Sequence, residues 1–404
     1  MVRKIVIVGG GVIGTSIAWH LARSGASDVV LLERDRLGAG TTWHSAGNIT
    51  WRPIQNRDEP IMYAFEAIDA VEAASGQQTG WLKTGRVFLA DSEATRRSFQ
   101  DMHDAAIGRG VATRWINPAE AKALNPHIDP SAAEAIWLNP LSGRVNPSDI
   151  TTAYATAARR AGARIVENCT VTRIKTSSGR VSGIETSQGP FAADIVIVAA
   201  GLWSRAILSA VGIDLAQWAV EHFYLIADVA PRLPRETPSF VAPGSLFYGR
   251  EEVGGMLVGF FDENARTIDP ESLPEPFTFT LLNPDFEKIA PYFDSAMRMF
   301  PILATAPIRR FINGPESFTP DGLPLIGAVD GVDGLIVATA MNSAGVTWSA
   351  MAGDIVSRLV TGETQRFSFA QYAPDRFGAR ASDTAWLRQQ VSGIVSGGYR
   401  GDKT

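Results

Sequence analysis

The apolar run at 5–8 is followed by three closely spaced glycines and then by apolar positions at helical spacing, which predicts strand, tight turn and helix. A second apolar run, Val29–Leu32, ends in an acid, Glu33. A polar, glycine-rich stretch covers 37–56, and an amphipathic helix is predicted over 61–74. Residues 85–90 read as a strand and 91–124 as mostly helical. The run N-P-S-D at 146–149 marks a helix start capped by Asn146 or Ser148, and apolar residues recur at helical spacing through 161. Three β-type stretches follow at 164–167, 171–176 and 181–186, and the continuous apolar run at 193–201 reads as a buried parallel strand returning to the first sheet. Beyond residue 222 the character changes. Strands are predicted at 224–229 and 256–261 with prolines clustered over 231–243, the pattern of an antiparallel layer that extends to about 311. A last buried strand at 334–340 runs through Asn342, Ser343, Ala344 and Gly345 into a helix over 346–359.

The glycines carry the first chemistry. Gly9, Gly11 and Gly14 have G-x-G-x-x-G spacing between a strand and a helix. Gly9 permits the turn, Gly11 lets a pyrophosphate approach the backbone, and Gly14 allows close helix–strand packing. The phosphate would sit on the helix N-terminus, where unpaired N–H groups and the helix dipole favour an anion. Glu33 stands where a carboxylate accepts hydrogen bonds from adenosine ribose hydroxyls, and it disfavours a 2′-phosphate. The turn before the last helix offers a second N-terminus to an electron-rich ligand.

Bulk composition narrows the partners. With 404 residues the chain is long enough for two or three domains, and no repeat or low-complexity linker separates them, so interleaving is expected. A net charge of −5 without like-signed runs argues against nucleic acid or a membrane surface as partner. No apolar run approaches the roughly 18 residues of a membrane span, and no signal segment precedes the first strand. The single cysteine, Cys169, excludes an intramolecular disulfide, and a reducing cytoplasm fits. No histidine pair has metal-ligand spacing, so no metal is assigned.

Four segments together resemble the D-amino acid oxidase superfamily of flavoproteins, and within it the sarcosine and dimethylglycine oxidising group. They are the glycine motif with Glu33, TTWHSAG at 41–47, VIVAAGLWS at 196–204 and FTPDGLPLIG at 318–327. The resemblance implies FAD as cofactor and an α/β fold. A Rossmann-type FAD-binding domain (1–85, 145–220 and 315–404) is interleaved with an α+β, antiparallel-sheet substrate domain (86–144 and 221–314). Cofactor contacts are implied for Gly9, Gly11, Val12, Ile13, Gly14, Glu33, Arg34, Thr41, Thr42, His44, Val171, Ala200, Gly201, Trp203, Asn342, Ser343, Ala344, Gly345 and Val346. Longer relatives carry a folate-binding region for which this chain has no room, so a one-carbon product would be released.

The resemblance also points to reacting groups. His44 occupies the place where dimethylglycine and sarcosine dehydrogenases link histidine to the flavin; by its residues alone it is a loop histidine. Arg52 stands near the place of a carboxylate-binding cation in related amine oxidases, and a guanidinium suits that anion. His222 can hold or take an amine proton, and Tyr248 can orient the substrate. Arg250, two residues from Tyr248 on a predicted strand, shares its face and is a second carboxylate candidate. His20, predicted on the outer face of the first helix, His103 and His127 read as structural, and Cys169 as buried.

The function implied is FAD-dependent oxidation of a small secondary or tertiary amino acid such as sarcosine, dimethylglycine or iminodiacetate, to an imine that hydrolyses to an aldehyde and a shorter amine. A D-amino acid or glycine dehydrogenase or oxidase acting on a primary amine, and a non-catalytic flavoprotein, are the alternatives. Electrons pass to oxygen or to another acceptor. The absence of a lysine between Lys175 and Lys288 leans toward the latter.

Overall fold

In the computed structural model, which describes residues 3–26, 28–54 and 58–397, the apolar runs become the centre of a six-stranded sheet. Its order is Leu325–Ala328, Leu335–Thr339, Ile195–Val198, Ile5–Val8, Val29–Leu32 and Arg164–Val166. All neighbours are parallel except the first pair. Both faces are covered, which is why these strands are apolar throughout rather than alternating. Ile5, Ile7, Val29 and Leu31 face a helical layer. Val6, Val8, Val30 and Leu32 face a cluster that includes Cys169 and the hairpin residues Ile174, Val181 and Ile184.

The helix Val12–Arg23 lies within that helical layer, against Pro147–Arg160 and Gly345–Thr361. It therefore has no outer face at residue 20, contrary to the expectation from sequence. His20 is buried, its Nδ1 is 2.8 Å from the Ser16 carbonyl and its Nε2 is 2.9 Å from the Tyr63 hydroxyl. Burial, with Arg23 adding to it, pushes its pKa down to about 3, so the imidazole is neutral at physiological pH. Of the two candidate caps at 146 and 148, Asn146 is the one used: its side chain accepts from the Ser148 and Asp149 backbone N–H groups.

A nine-stranded sheet forms the second layer, and its pairings are antiparallel except between Arg86–Ala90 and Ser239–Ala242. The predicted helical stretch 91–124 contains one of its strands, Arg114–Ile116, between two helices. The strand predicted over 224–229 starts earlier, at Trp218, and runs to Ala227, so His222 sits mid-strand. It pairs with the long strand Ile308–Phe318, in register His222 with Gly314 and Val220 with Glu316. That long strand ends beside the turn at Asn342, whose N–H bonds to the Ser317 carbonyl, and the chain then enters the first sheet at Leu325. The end of the predicted polar stretch, Gln55 and Asn56, lies outside the described residues, as do 1–2 and 398–404 of the expected FAD-binding segments.

Candidate active site

Two cavities meet between the sheets. The first, about 320 Å³, runs over the ends of the parallel strands. The second, about 170 Å³, continues it toward the large sheet, and Ser45, Glu316, Asn342, Ser343 and Val346 line both.

The first cavity begins at the glycine turn. Gly9 adopts φ +109°, and a Cβ on Gly14 would fall 1.9 Å from the Gly9 carbonyl oxygen, so a side chain at 14 would push helix and strand apart. Gly14 thus acts from behind the cavity, while Gly9, Gly11, Val12 and Ile13 line it. Gly11 caps the helix without a side-chain hydrogen bond, and no acid stands in the first turn. The Val12 N–H donates to Thr42 Oγ1 at 3.2 Å. Glu33 accepts the Gly10 N–H at 2.6 Å and the Asp35 N–H at 2.8 Å, which fixes its carboxylate at the cavity wall. Burial pushes that carboxyl's pKa up, opposed by these two backbone donors. Arg34, Thr41, Thr42, Val171, Ala200, Gly201 and Trp203 also line this cavity, and the Arg34 guanidinium lies over the Trp203 ring at 4.3 Å. Cys169, buried as expected, is also part of the wall. Nothing in its sequence neighbourhood marked that position.

At the far end of the first cavity, three non-glycine residues in one turn, Ala340, Asn342 and Ser343, hold φ of 53°, 50° and 63°. Such left-handed conformations persist only where the surroundings over-determine them. The Asn342 side chain does so: its Oδ1 accepts the Thr319 N–H at 2.9 Å, and its Nδ2 donates to the Ala340 carbonyl at 2.6 Å. The helix that follows, Gly345–Thr361, has no side-chain cap and no acid in its first turn. Asn342, Ser343 and Val346 line both cavities, Gly345 only the first and Ala344 only the second.

His44, Arg52, His222 and Tyr248 are brought together on the second cavity. His44 ends the turn Thr42–His44 and is buried. Its ring lies against Gly314, where a Cβ would stand 2.5 Å from Cε1 and 2.7 Å from Nε2. Nε2 has no hydrogen-bond partner among the described residues. Burial lowers its pKa, Glu316 acts in the opposite direction and His222 adds to the lowering. A neutral ring therefore presents a free lone pair. Beyond it, Asn48, Thr50, Arg52 and Ile54 line the cavity while Ile49 and Trp51 are buried behind them, the period-two alternation of an extended chain.

On the large sheet, Tyr248 pairs with Gly259, and a Cβ there would lie 2.2 Å from Tyr248 Cζ. The missing side chain lets the phenol ring lie across the middle strand and reach the next one. There the Tyr248 hydroxyl stands 3.0 Å from His222 Nε2, with the two rings parallel. His222 Nδ1 is buried without a partner among the described residues. Arg250 shares Tyr248's strand, yet it does not line either cavity. Its Nε donates to the Ala46 carbonyl at 2.7 Å, and its guanidinium pairs with Glu252 at 2.6 Å.

A family model for FAD-dependent oxidoreductases, abbreviated DAO, matches residues 4–359. The chain belongs to the DAO family. Its cofactor is accordingly FAD, and the residues fit that group: a glycine turn with an open helix N-terminus, a backbone-anchored Glu33 and a buried unpartnered His44 Nε2 along one connected space. Across the family, the 4-methylaminobutanoate oxidase (formaldehyde-forming) of Paenarthrobacter nicotinovorans is 32% identical over 96% of this chain and 47% of its own length. Human mitochondrial sarcosine dehydrogenase is 29% identical over 96% of this chain and 43% of its own. The chain thus spans less than half the length of these DAO relatives. Among solved structures, L-proline dehydrogenase from P. horikoshii superposes with a TM-score of 0.82 at 25% identity, over 93% of this chain and 97% of that one. Among the described residues no group of three or more His, Cys, Asp and Glu could hold a metal ion, and no helix is long and apolar enough to cross a membrane. Lys288 pairs with Glu221 and Asp262 and does not line either cavity.

Proposed function

We propose that the chain oxidises a small N-substituted amino acid, a secondary or tertiary amine such as sarcosine, dimethylglycine or iminodiacetate, or an N-methylated homologue. The observation that carries this reading is one cavity in which the His222–Tyr248 pair, Arg52 and the Asn342–Val346 turn are brought together. The names of the DAO relatives point to N-methylated amino acids as well.

FAD, when bound, accepts the hydride equivalent from the carbon next to nitrogen. The chain supplies orientation and proton handling. Arg52 holds the carboxylate. When His222 Nε2 donates to the Tyr248 hydroxyl, Nδ1 keeps the lone pair that takes the amine proton. The N–H groups opening the Gly345–Thr361 helix favour negative charge beside them. Hydrolysis of the resulting imine gives an aldehyde and a shorter amine.

An anaerobic screen that follows flavin absorbance tests the reading. N-methylated amino acids should bleach the flavin faster than primary amino acids and far faster than the matching uncharged N-alkylamines. Arg52→Ala should lower kcat/KM for the amino acid by about 30-fold or more while leaving the uncharged amine unaffected, since truncating one partner of a buried charge pair costs about 2–5 kcal/mol. Bleaching by primary amines alone would move the assignment to a D-amino acid or glycine oxidoreductase. Bleaching by no amine would leave a non-catalytic flavoprotein.

The same reading assigns His44 Nε2 a bond to the flavin's 8α carbon, for the atom is buried, neutral and unpartnered. Acid precipitation reads this directly. Flavin should stay in the pellet of the wild type and pass to the supernatant of His44→Ala, and release from both proteins rejects the bond.

A further inference from the structure

Glu316 occupies the junction of the two cavities and lines both. It lies on the long strand Ile308–Phe318 two residues from Gly314, and Gly314 is paired with His222, so Glu316 shares the sheet face that carries His222 and the seat of the His44 ring. Its side chain is 6% exposed, and Oε2 is buried without a hydrogen-bond partner among the described residues. The adjacent carboxylate on the opposite face shows what this sheet does with a buried acid. Glu221 is matched by Lys288 at 2.9 Å, Arg266 at 3.0 Å and the Asn313 amide at 2.7 Å. Among the described residues Glu316 has no ion pair, and the ionisable groups lining the second cavity with it are the imidazoles of His44 and His222, the phenols of Tyr224 and Tyr248, and Arg52. A buried carboxylate is costly unless a cation or several donors meet it, which leaves the charge to be matched by a ligand.

We propose that Glu316 is the counter-ion of the substrate's positively charged nitrogen, so that the site selects amines presented in cationic form at the junction with the flavin cavity. This rests on the amino-acid reading above, in which Arg52 takes the other pole of a zwitterion. Complementary charges at the two ends fix the polarity of binding, nitrogen at the junction and carboxylate at Arg52. The same carboxylate favours the positive charge that the nitrogen carries again in the iminium product.

Isosteric ligands that differ only in that charge test the proposal. Trimethylammonioacetate and 4-trimethylammoniobutanoate have no nitrogen lone pair and are not oxidised; 3,3-dimethylbutanoate and 5,5-dimethylhexanoate are their uncharged-carbon twins. Calorimetric titration of the FAD-loaded protein should show the cation binding at least about tenfold more tightly than its twin, at one chain length or both. Glu316→Gln should abolish that preference and leave affinity for the carbon twin within about twofold. Glu316→Asp, which keeps the charge on a shorter arm, should retain part of it. Equal binding of twin and cation by the wild type overturns the counter-ion while leaving the carboxylate site standing, and this comparison needs no variant. A preference that persists in Glu316→Gln, with the change appearing instead in the flavin spectrum or FAD content, also overturns it and makes Glu316 a cofactor ligand. Failure of all four carboxylates to bind removes the amino-acid reading and the counter-ion together.

Discussion

Replacing Gly11 with leucine should give a folded protein that purifies colourless. Gly11 caps the helix at φ −72°, a value any residue adopts, and a Cβ there meets only Thr42 Oγ1, at 3.2 Å. Gly11 lines the first cavity, so the branches beyond Cβ should enter it where the glycine motif is expected to hold the pyrophosphate and compete with the cofactor rather than with the protein. The neighbouring glycines behave differently. At Gly14 the first added carbon already collides with the Gly9 carbonyl, so substitution there disrupts the strand–helix contact itself. The Gly11→Leu protein should retain far-UV circular dichroism and lose the FAD visible bands to below about a tenth of wild type. It should melt as the cofactor-free protein does, because a ligand at about 1,000 times its Kd contributes about 4 kcal/mol to stability. Stoichiometric FAD in the variant would show that the glycine loop does not hold the pyrophosphate.

His222→Ala should slow flavin reduction by roughly 10²- to 10⁴-fold, the range that a positioned acid–base group supplies. Tyr248→Phe removes only the hydroxyl 3.0 Å from Nε2, so its effect should be smaller. Because the two side chains act as one hydrogen-bonded unit, the double variant should lose little more than His222→Ala alone. Stopped-flow reduction under anaerobic conditions isolates this step from reoxidation. FAD content should not change, since neither residue lines the first cavity. A rate for His222→Ala within threefold of wild type would remove the pair from the chemistry.

What could be read from sequence was what local chemistry dictates. The Gly9, Gly11 and Gly14 spacing, the acid at Glu33 and the continuous apolar strands each follow from a requirement met within a few residues, and the structure places all of them in the parallel-sheet layer. Features that depend on partners remote in sequence were not legible. Glu316 carries no signal of its own in the sequence. Its exposure to both cavities is set by register with residues some hundred positions earlier. Arg250 does share a strand with Tyr248, but the Ala46 carbonyl and Glu252 occupy its donors, and no pattern within 247–252 reveals that. His20 seemed to face outward because one helix in isolation always has an outer face; packing between two other helices removed it. Nothing in the sequence distinguishes Gly259, within the predicted strand 256–261, or Gly314, outside any predicted strand. Their role is visible only once the Tyr248 and His44 rings lie over them.

The hydrogen bond from Arg250 to the Ala46 carbonyl has a further effect. Ala46 lies two residues from His44 and two from Asn48, in the loop that lines the second cavity, whereas Arg250 belongs to the strand of Tyr248. One guanidinium therefore ties the loop that carries His44 to the strand that carries Tyr248. Under the proposed function, in which the loop meets FAD and the strand meets the amine, loading and recognition are linked equilibria: a cofactor that steadies the loop also steadies the Tyr248 strand, and by reciprocity a bound amine tightens the grip on the flavin. In the cofactor-free protein the amine site should accordingly be less ordered than the sheet beneath it, which makes FAD a structural prerequisite for selecting the substrate as well as the acceptor that oxidises it.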